Sequence, residues 1–270
     1  AEFGKAYPER FFNMGIAEAD MMCVAAGLAS TGKIVFASTF AIFAAERACE
    51  QIRNSIGYTR ANVKVCATHA GITVGEDGAS HQTFEDLALM RTIPGMVVVN
   101  PCDGVSTTEL MKQVVEFDGP CYVRLGRAAV PVFYEEGADI KLGKGNWLRR
   151  GKDLTVVATG IMVSEAMMAA EELAKEGIEI GVIDMHTIKP IDEEILLEAA
   201  QVGPIVTAEE HSVIGGLGSA VAEVLSCKHP VKMAMVGQKD TFGESGKPDE
   251  LKAKYGMTAA DIVKVAKTLV

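Results

Sequence analysis

The sequence predicts an α/β chain of two doubly wound domains, each with a mostly parallel sheet and helices on both faces. Three observations carry this. Short β-branched runs such as Val63–Ala67 and Leu154–Ala158 alternate with longer helical stretches along the whole chain, and regular strand–helix alternation implies parallel pairing. At 270 residues the chain is long for one core, so two domains of ordinary size fit it better. A stretch holding Pro131, Gly137, Gly143, Gly145 and Gly151 divides the two alternating series. It reads as a linker with a short hairpin, 131–151, between a domain over 1–130 and a second over 152–270.

Composition removes several classes of function. Hydrophobic residues make up 49% and charged residues 23%, which is a globular balance rather than a disordered one. A net charge of −10 lacks the basic excess of a nucleic-acid binder. The six cysteines are scattered, with no Cys-x-x-Cys pair. They read as reduced thiols of a cytoplasmic protein, neither a zinc site nor a disulfide framework. No apolar run reaches the ~18 residues that span a bilayer, and no signal peptide is evident. The chain opens without methionine in a helix-like Ala1–Tyr7. A doubly wound domain begins with a strand and helix before such a point, so a partial first domain is expected.

In order, Phe11–Met14 is an extended piece and Ile16–Ala29 a helix with Glu18 in its first turn. An acid there suits the helix dipole whatever else it does. Ile34–Ala37 is a strand, and helix signals run from Ala41 to Ile56. Phe40 and Phe43, three apart, share a face where the turn is helical; core packing explains them as readily as a pocket. Val63–Ala67 is a buried strand. It feeds Thr68–Gln82, a loop with Gly71, Gly75 and Gly78 between His69 and His81 and with the acidic pair Glu76–Asp77. Open α/β sheets bind ligands at the carboxyl ends of strands, and titratable groups crowded there are candidate site residues. Then follow a helix at 83–91, a strand within Pro94–Pro101, a helix at 104–117 capped by Asp103, and a strand at 120–125. Arg127 lies just past that strand, where a guanidinium fork can meet a phosphate or simply pair with a carboxylate.

The second series has strands at 154–158, 178–184, 204–208 and 231–236 and helices at 164–175, 191–200 and 258–269, with another ending near Leu225. Gly215-Gly-Leu-Gly-Ser219 could cradle an anion at a helix N-terminus, but a lone glycine cluster reads as structural. His186 and His211 read as structural or interfacial.

Thr68-His69, Val74-Gly-Glu-Asp-Gly78 and His81-Gln82 together resemble the pyrimidine-domain signature of transketolase. Deoxyxylulose-phosphate synthases are similar at the Asp-Gly and His-Gln positions but typically lack the first histidine; β subunits of 2-oxo-acid dehydrogenases lack most of the pattern. A non-catalytic, transketolase-like interaction subunit is a third alternative. The resemblance spans essentially the whole chain and implies a thiamine-diphosphate-binding fold followed by a transketolase C-terminal domain that serves chiefly in assembly. It implies transfer of a two-carbon ketol unit between ketose and aldose phosphates, as in the pentose phosphate pathway. Gly15-Ile-Ala-Glu18 resembles the place of the catalytic glutamate, whose carboxyl group hydrogen-bonds the aminopyrimidine ring; burial would favour the protonated form this needs. By the same carry-over Phe43 stacks on that ring and Phe40 lines its pocket. Glu46 stands where transketolase often has a tyrosine. Arg127 would hold the substrate phosphate with His69 nearby, Asp77 would contact a sugar hydroxyl, and His81 would face the reaction centre and the donor carbonyl. Arg124 has no matching role. The family's pyrophosphate-binding motif is missing, so the resemblance implies a split enzyme: an N-terminal partner chain would bring the divalent metal, Mg or Ca, and the diphosphate contacts, in a heterotetramer.

Overall fold

Val63 to Thr68 does form a strand, buried on both faces, and the first half of the chain is laid around it. The computed structural model describes residues 2–270. In this half α1 (Glu2–Ala6) and α2 (Glu18–Ala29) precede β1 (Val35–Phe40). The helix expected at 41–56 winds instead as two π-helical segments, Phe43–Arg47 and Ile52–Gly57, joined by the short α3 (Cys49–Gln51). Its alanines 41, 44, 45 and 48 are fully buried, letting the helix lie close to the sheet. After β2 (Val63–Thr68) come α4 (Asp86–Thr92), β3 (Val97–Val99), α5 (Gly104–Glu116) and β4 (Cys121–Arg124). The Asp103 cap forms as read, its side chain accepting from Ser106 N at 2.7 Å. The four strands run parallel in the order β1-β2-β4-β3, and helices cover both faces, as continuous apolar strands require.

The second half holds β5 (Asn146–Arg149), β6 (Leu154–Ala158), α6 (Met162–Lys175), β7 (Ile180–Asp184), β8 (Thr187–Lys189), α7 (Glu193–Val202), β9 (Ile205–Ser212), α8 (Leu217–Lys228), β10 (Met233–Gln238), α9 (Pro248–Lys254) and α10 (Ala259–Ala266). Its sheet has the order β10-β9-β6-β7-β5. Two features depart from the sequence reading. Asn146–Arg149, taken as part of a linker hairpin, pairs antiparallel with β7 and closes one edge of this sheet. The three-residue β8 leaves the second half and joins the first sheet, pairing antiparallel with β3. It is too short to stand out in sequence. Lys189 fixes it by donating to the carbonyls of Arg91 and Ile93 at 2.7 and 2.6 Å.

Charged groups are buried along the seam between the halves. Arg124 and Asp86 are 3% and 0% exposed. Arg124 Nε donates to Asp86 Oδ2 at 2.8 Å, and its Nη2 donates to the Glu210 carbonyl at 2.9 Å. Tyr122 also donates to Asp86 Oδ2, at 2.8 Å. Burial alone would raise the Asp86 carboxyl, but Arg124, His211 and the two side-chain hydrogen bonds overrule it and hold the group below its ordinary value. Glu209 is fully buried and accepts from Leu217 N and Gly218 N at the start of α8, at 2.6 and 2.8 Å. The glycine turn read as structural thus has its anion position filled by the chain's own carboxylate.

Asp184, at the end of β7, is fully buried; it accepts from Tyr134 at 2.9 Å through one oxygen while the other has no partner. Burial pushes its carboxyl up to about 7. A raised acid contributes stability that is complete below its unfolded value and is lost as pH rises through the folded one. Between pH 4 and 8, Asp184→Asn is therefore expected to gain about 2–4 kcal/mol relative to the parent. Urea unfolding at the two pH values measures this; a pH-independent difference would show that Asp184 ionises normally.

Candidate active site

Three rings stack at the carboxyl ends of β1 and β2, with a guanidinium over the last of them. His69 lies on Phe40, with ring centroids 3.9 Å apart and planes within 9°. Phe40 is followed by Phe43 at 6.1 Å and 12°. The Arg47 guanidinium then lies over Phe43, its Cζ 4.5 Å from the ring centroid. From the side, His81 turns its edge to Phe43 at 5.3 Å and to Phe40 at 6.3 Å. Aromatic pairs of this kind contribute ~0.5–1.5 kcal/mol beyond burial. Arg47 continues the chain of contacts to Glu18, donating from Nη1 to Oε2 at 3.0 Å. Glu18 is 7% exposed, and its neighbour is a guanidinium that the sequence reading did not include.

His69 has a positive φ of 58°, a conformation that costs a non-glycine residue about 1–3 kcal/mol and is often found at functional sites. The stack on Phe40 and a 3.0 Å contact between Nδ1 and Thr68 Oγ1 hold it there. Burial, aided by the charge of Arg127, keeps its imidazole below its ordinary value, with Asp77 acting the other way.

The loop after His69 is shaped by the second half of the chain. Ile72–Asp77 forms 3-10 turns with a kink at Gly75. Thr73 N donates to the buried Glu210 carboxylate at 2.6 Å. A Cβ on Gly71, where φ is +81°, would collide with the same carboxylate; one on Gly78 would lie 2.5 Å from Ser245 Oγ. Gln82, 3% exposed, donates to the carbonyls of Ile72, Gly75 and Glu244. Arg127 Nη1 ties the outer side of the loop, reaching the Val74 carbonyl at 2.6 Å and Asp77 Oδ2 at 3.0 Å.

Glu46 faces away from a wall role. Its Oε1 accepts from Thr83 at 2.7 Å. Burial, with the charges of Glu85 and Asp86, raises its carboxyl to about 7 despite that bond.

The structure thus brings together every candidate named from sequence: Glu18 with Phe43 through Arg47, Phe40 with His69 and His81, and Asp77 with Arg127. It adds Arg47, Gln82 and Glu210. For Arg47 a signal existed, since a cation four residues after an aromatic shares its helical face. Nothing local pointed to Glu210, whose partners lie 86 and 137 residues away. Among the described residues, no group of three or more His, Cys, Asp or Glu side chains could hold a metal ion, and no helix is long and apolar enough to cross a membrane.

Comparison with known proteins agrees over nearly the whole chain. The family model for the transketolase pyrimidine-binding domain matches residues 1–132, and that for the transketolase C-terminal domain matches 143–262. A putative transketolase C-terminal section of Methanocaldococcus jannaschii is 52% identical over 267 residues, covering 98% of this chain and 84% of that protein. A 6-deoxy-6-sulfo-D-fructose transketolase subunit of a Clostridium species is 47% identical, covering 98% and 82%. One of the apulose-4-phosphate transketolase subunits of Phocaeicola vulgatus is 42% identical, covering 98% and 85%. A solved structure, described as a split-gene transketolase in an inactive β4 tetramer, superposes with a TM-score of 0.94 at 54% identity, covering 100% of this chain and 87% of that one.

The packing of Gly71 against Glu210 makes a prediction. Gly71→Ala should lower stability by about 2–4 kcal/mol, from a strained φ and a clash. Gly95→Ala, with a similar φ of +74° but nothing within 4 Å of the added carbon, should cost about 1 kcal/mol. Chemical denaturation of the two variants compares them, and equal losses would mean that the loop does not depend on Glu210.

Proposed function

The chain belongs to the transketolase family, and from that premise we propose that it is the subunit of a split, thiamine-diphosphate-dependent transketolase that holds the cofactor's pyrimidine ring and the anionic end of the sugar. The observation that carries the reading is the pairing of an acceptor and an aromatic face. Glu18 and Phe43 flank one seat, which a planar N–H donor already fills in this structure. An aminopyrimidine ring that carries a proton on its ring nitrogen matches that donor. When bound, thiamine diphosphate supplies the electron sink for breaking and making the ketose carbon–carbon bond. Glu18 would hold the proton at the pyrimidine ring nitrogen. Phe43 and Phe40 would fix the plane of the ring, and His81, edge-on to both, would face the donor carbonyl oxygen.

The outer edge of the pocket is read as the sugar site. Arg127 is 41% exposed and spends Nη1 on Val74 and Asp77, leaving the rest of its fork for a terminal anion. His69, whose imidazole burial and Arg127 keep below its ordinary value, would donate a hydrogen bond there, and Asp77 would accept one from a sugar hydroxyl. Relatives named for 6-deoxy-6-sulfo-D-fructose and apulose 4-phosphate both act on ketoses that carry such an anion, and the reading extends this to ketose and aldose phosphates for this chain. The diphosphate and a divalent metal, Mg or Ca, are assigned to a partner chain with the pyrophosphate-binding domain, in a heterotetramer. Exposed Phe3, Tyr7, Phe11, Phe12 and Ile16 support a partner on the N-terminal side, since monomers seldom present so much apolar surface.

Thiamine diphosphate and Mg are expected to bind the chain only together with that partner. Calorimetric titration decides this, and tight binding by the chain alone would refute the split site. In the complex, Glu18→Ala should reduce kcat by about a hundredfold or more; unchanged turnover would remove Glu18 from the chemistry. Arg127→Ala should lower kcat/KM for phosphorylated sugars ~10–100-fold more than for unphosphorylated analogues, as loss of a charge-assisted contact implies. Equal losses on both would exclude the phosphate role.

A further inference from the structure

We propose that Arg47 is a built-in stand-in for the cofactor's aminopyrimidine ring, seated between Glu18 and Phe43 in the cofactor-free chain and displaced when the cofactor binds. The proposal rests on the thiamine reading above and goes beyond it, because that reading gives Arg47 no task.

The seat makes two separate demands, and one side chain meets both. Phe43 offers a flat aromatic face, and the delocalised guanidinium lies on it at 4.5 Å. Glu18 offers a carboxylate oxygen, and Nη1 of the same guanidinium donates to it at 3.0 Å. Planarity and N–H donation toward a carboxylate are what arginine, unlike lysine, combines. Solvation alone asks for neither contact.

Burial shows why a stand-in is needed and why it can leave. The Glu18 side chain is 8% exposed. A carboxylate that buried is costly without a partner, and Arg47 supplies one until the cofactor arrives. Arg47 is 51% exposed, so its charge can swing into water without crossing an apolar region. Its departure forfeits one ion pair and one cation–π contact. Both are modest when half-solvated, so the guanidinium competes with the ring without excluding it.

The test uses the complex of this chain with the partner that supplies the pyrophosphate half, titrated calorimetrically with thiamine diphosphate and Mg. Arg47→Met keeps the stem and removes the competitor, so it should bind about tenfold more tightly than the parent, the factor expected from losing those two contacts. Phe43→Ala, which damages the seat itself, should bind more weakly. In the cofactor-free complex Arg47→Met should melt at a lower temperature, because Glu18 is left unpaired, and saturating cofactor should erase that difference. Unchanged or weaker binding by Arg47→Met, with Phe43→Ala still impaired, would overturn the stand-in and leave the thiamine reading intact. So would a loss of stability that persists at saturation, which would mark Arg47 as an ordinary structural residue. Absence of binding in all three proteins would overturn both.

Discussion

Arg124 is a guanidinium with almost no access to water, held by the Asp86 carboxylate on one side and the Glu210 carbonyl on the other. Such a charge is tolerated only while its partners stay in place: without Asp86 it is an uncompensated ion in a low-dielectric seam, and without the carbonyl it is left with an unsatisfied buried donor. The arrangement of the two halves follows from this. Asp86 belongs to α4 and Arg124 to β4, whereas Glu210 belongs to β9 of the other sheet. The interaction therefore ties the sheets to one another at the Glu210 backbone. The Glu210 side chain in turn receives Thr73 N, so the loop bearing the candidate substrate groups takes its shape from a contact made across the seam. A region expected to serve chiefly in assembly is also the mould for the site.

Much of this was legible in sequence because it is local. Alternating β-branched and helical stretches pointed to two mostly parallel sheets, Asp103 announced the start of α5, and the crowding of histidines, acids and glycines at 68–82 marked the candidate site. The features that escaped are those made by distant partners. Arg124 had no assigned role, since its burial depends on residues 38 and 86 positions away. β8 has three residues and borrows its regularity from β3. Asn146–Arg149 lay in a glycine-rich stretch that looked like a linker, and its pairing with β7 is antiparallel where alternation suggested only parallel neighbours. The π winding of the helix before β2 also has no simple signature, because it reflects the close seating of buried alanines against the sheet rather than the propensity of the segment.

The site itself shows how a strained backbone is kept. His69 adopts a left-handed conformation at the end of β2, and the ring that this turns inward is stacked on Phe40 at near van der Waals distance. The strain and the stack are two sides of one arrangement: a right-handed residue at this point would direct the imidazole elsewhere. The stack also sets a common plane for Phe40 and Phe43. A flat ligand arriving there would meet an orientation already established by the protein, so little ordering would remain to be done on binding.

The excursion of β8 into the first sheet bears on where such a polypeptide can be divided. Gene fission or proteolysis works best at a junction that leaves each fragment with closed sheets. A break between the two halves of this chain would take β8 away from β3 and expose a row of unpaired backbone groups on an apolar strand, an invitation to edge-to-edge aggregation. It would also strand the Arg124–Asp86 pair at a raw surface. In structural terms the two halves form one block. They can be shuffled against other domains as a unit, whereas exchanging either half alone would require a new edge strand and a new seam at the same time.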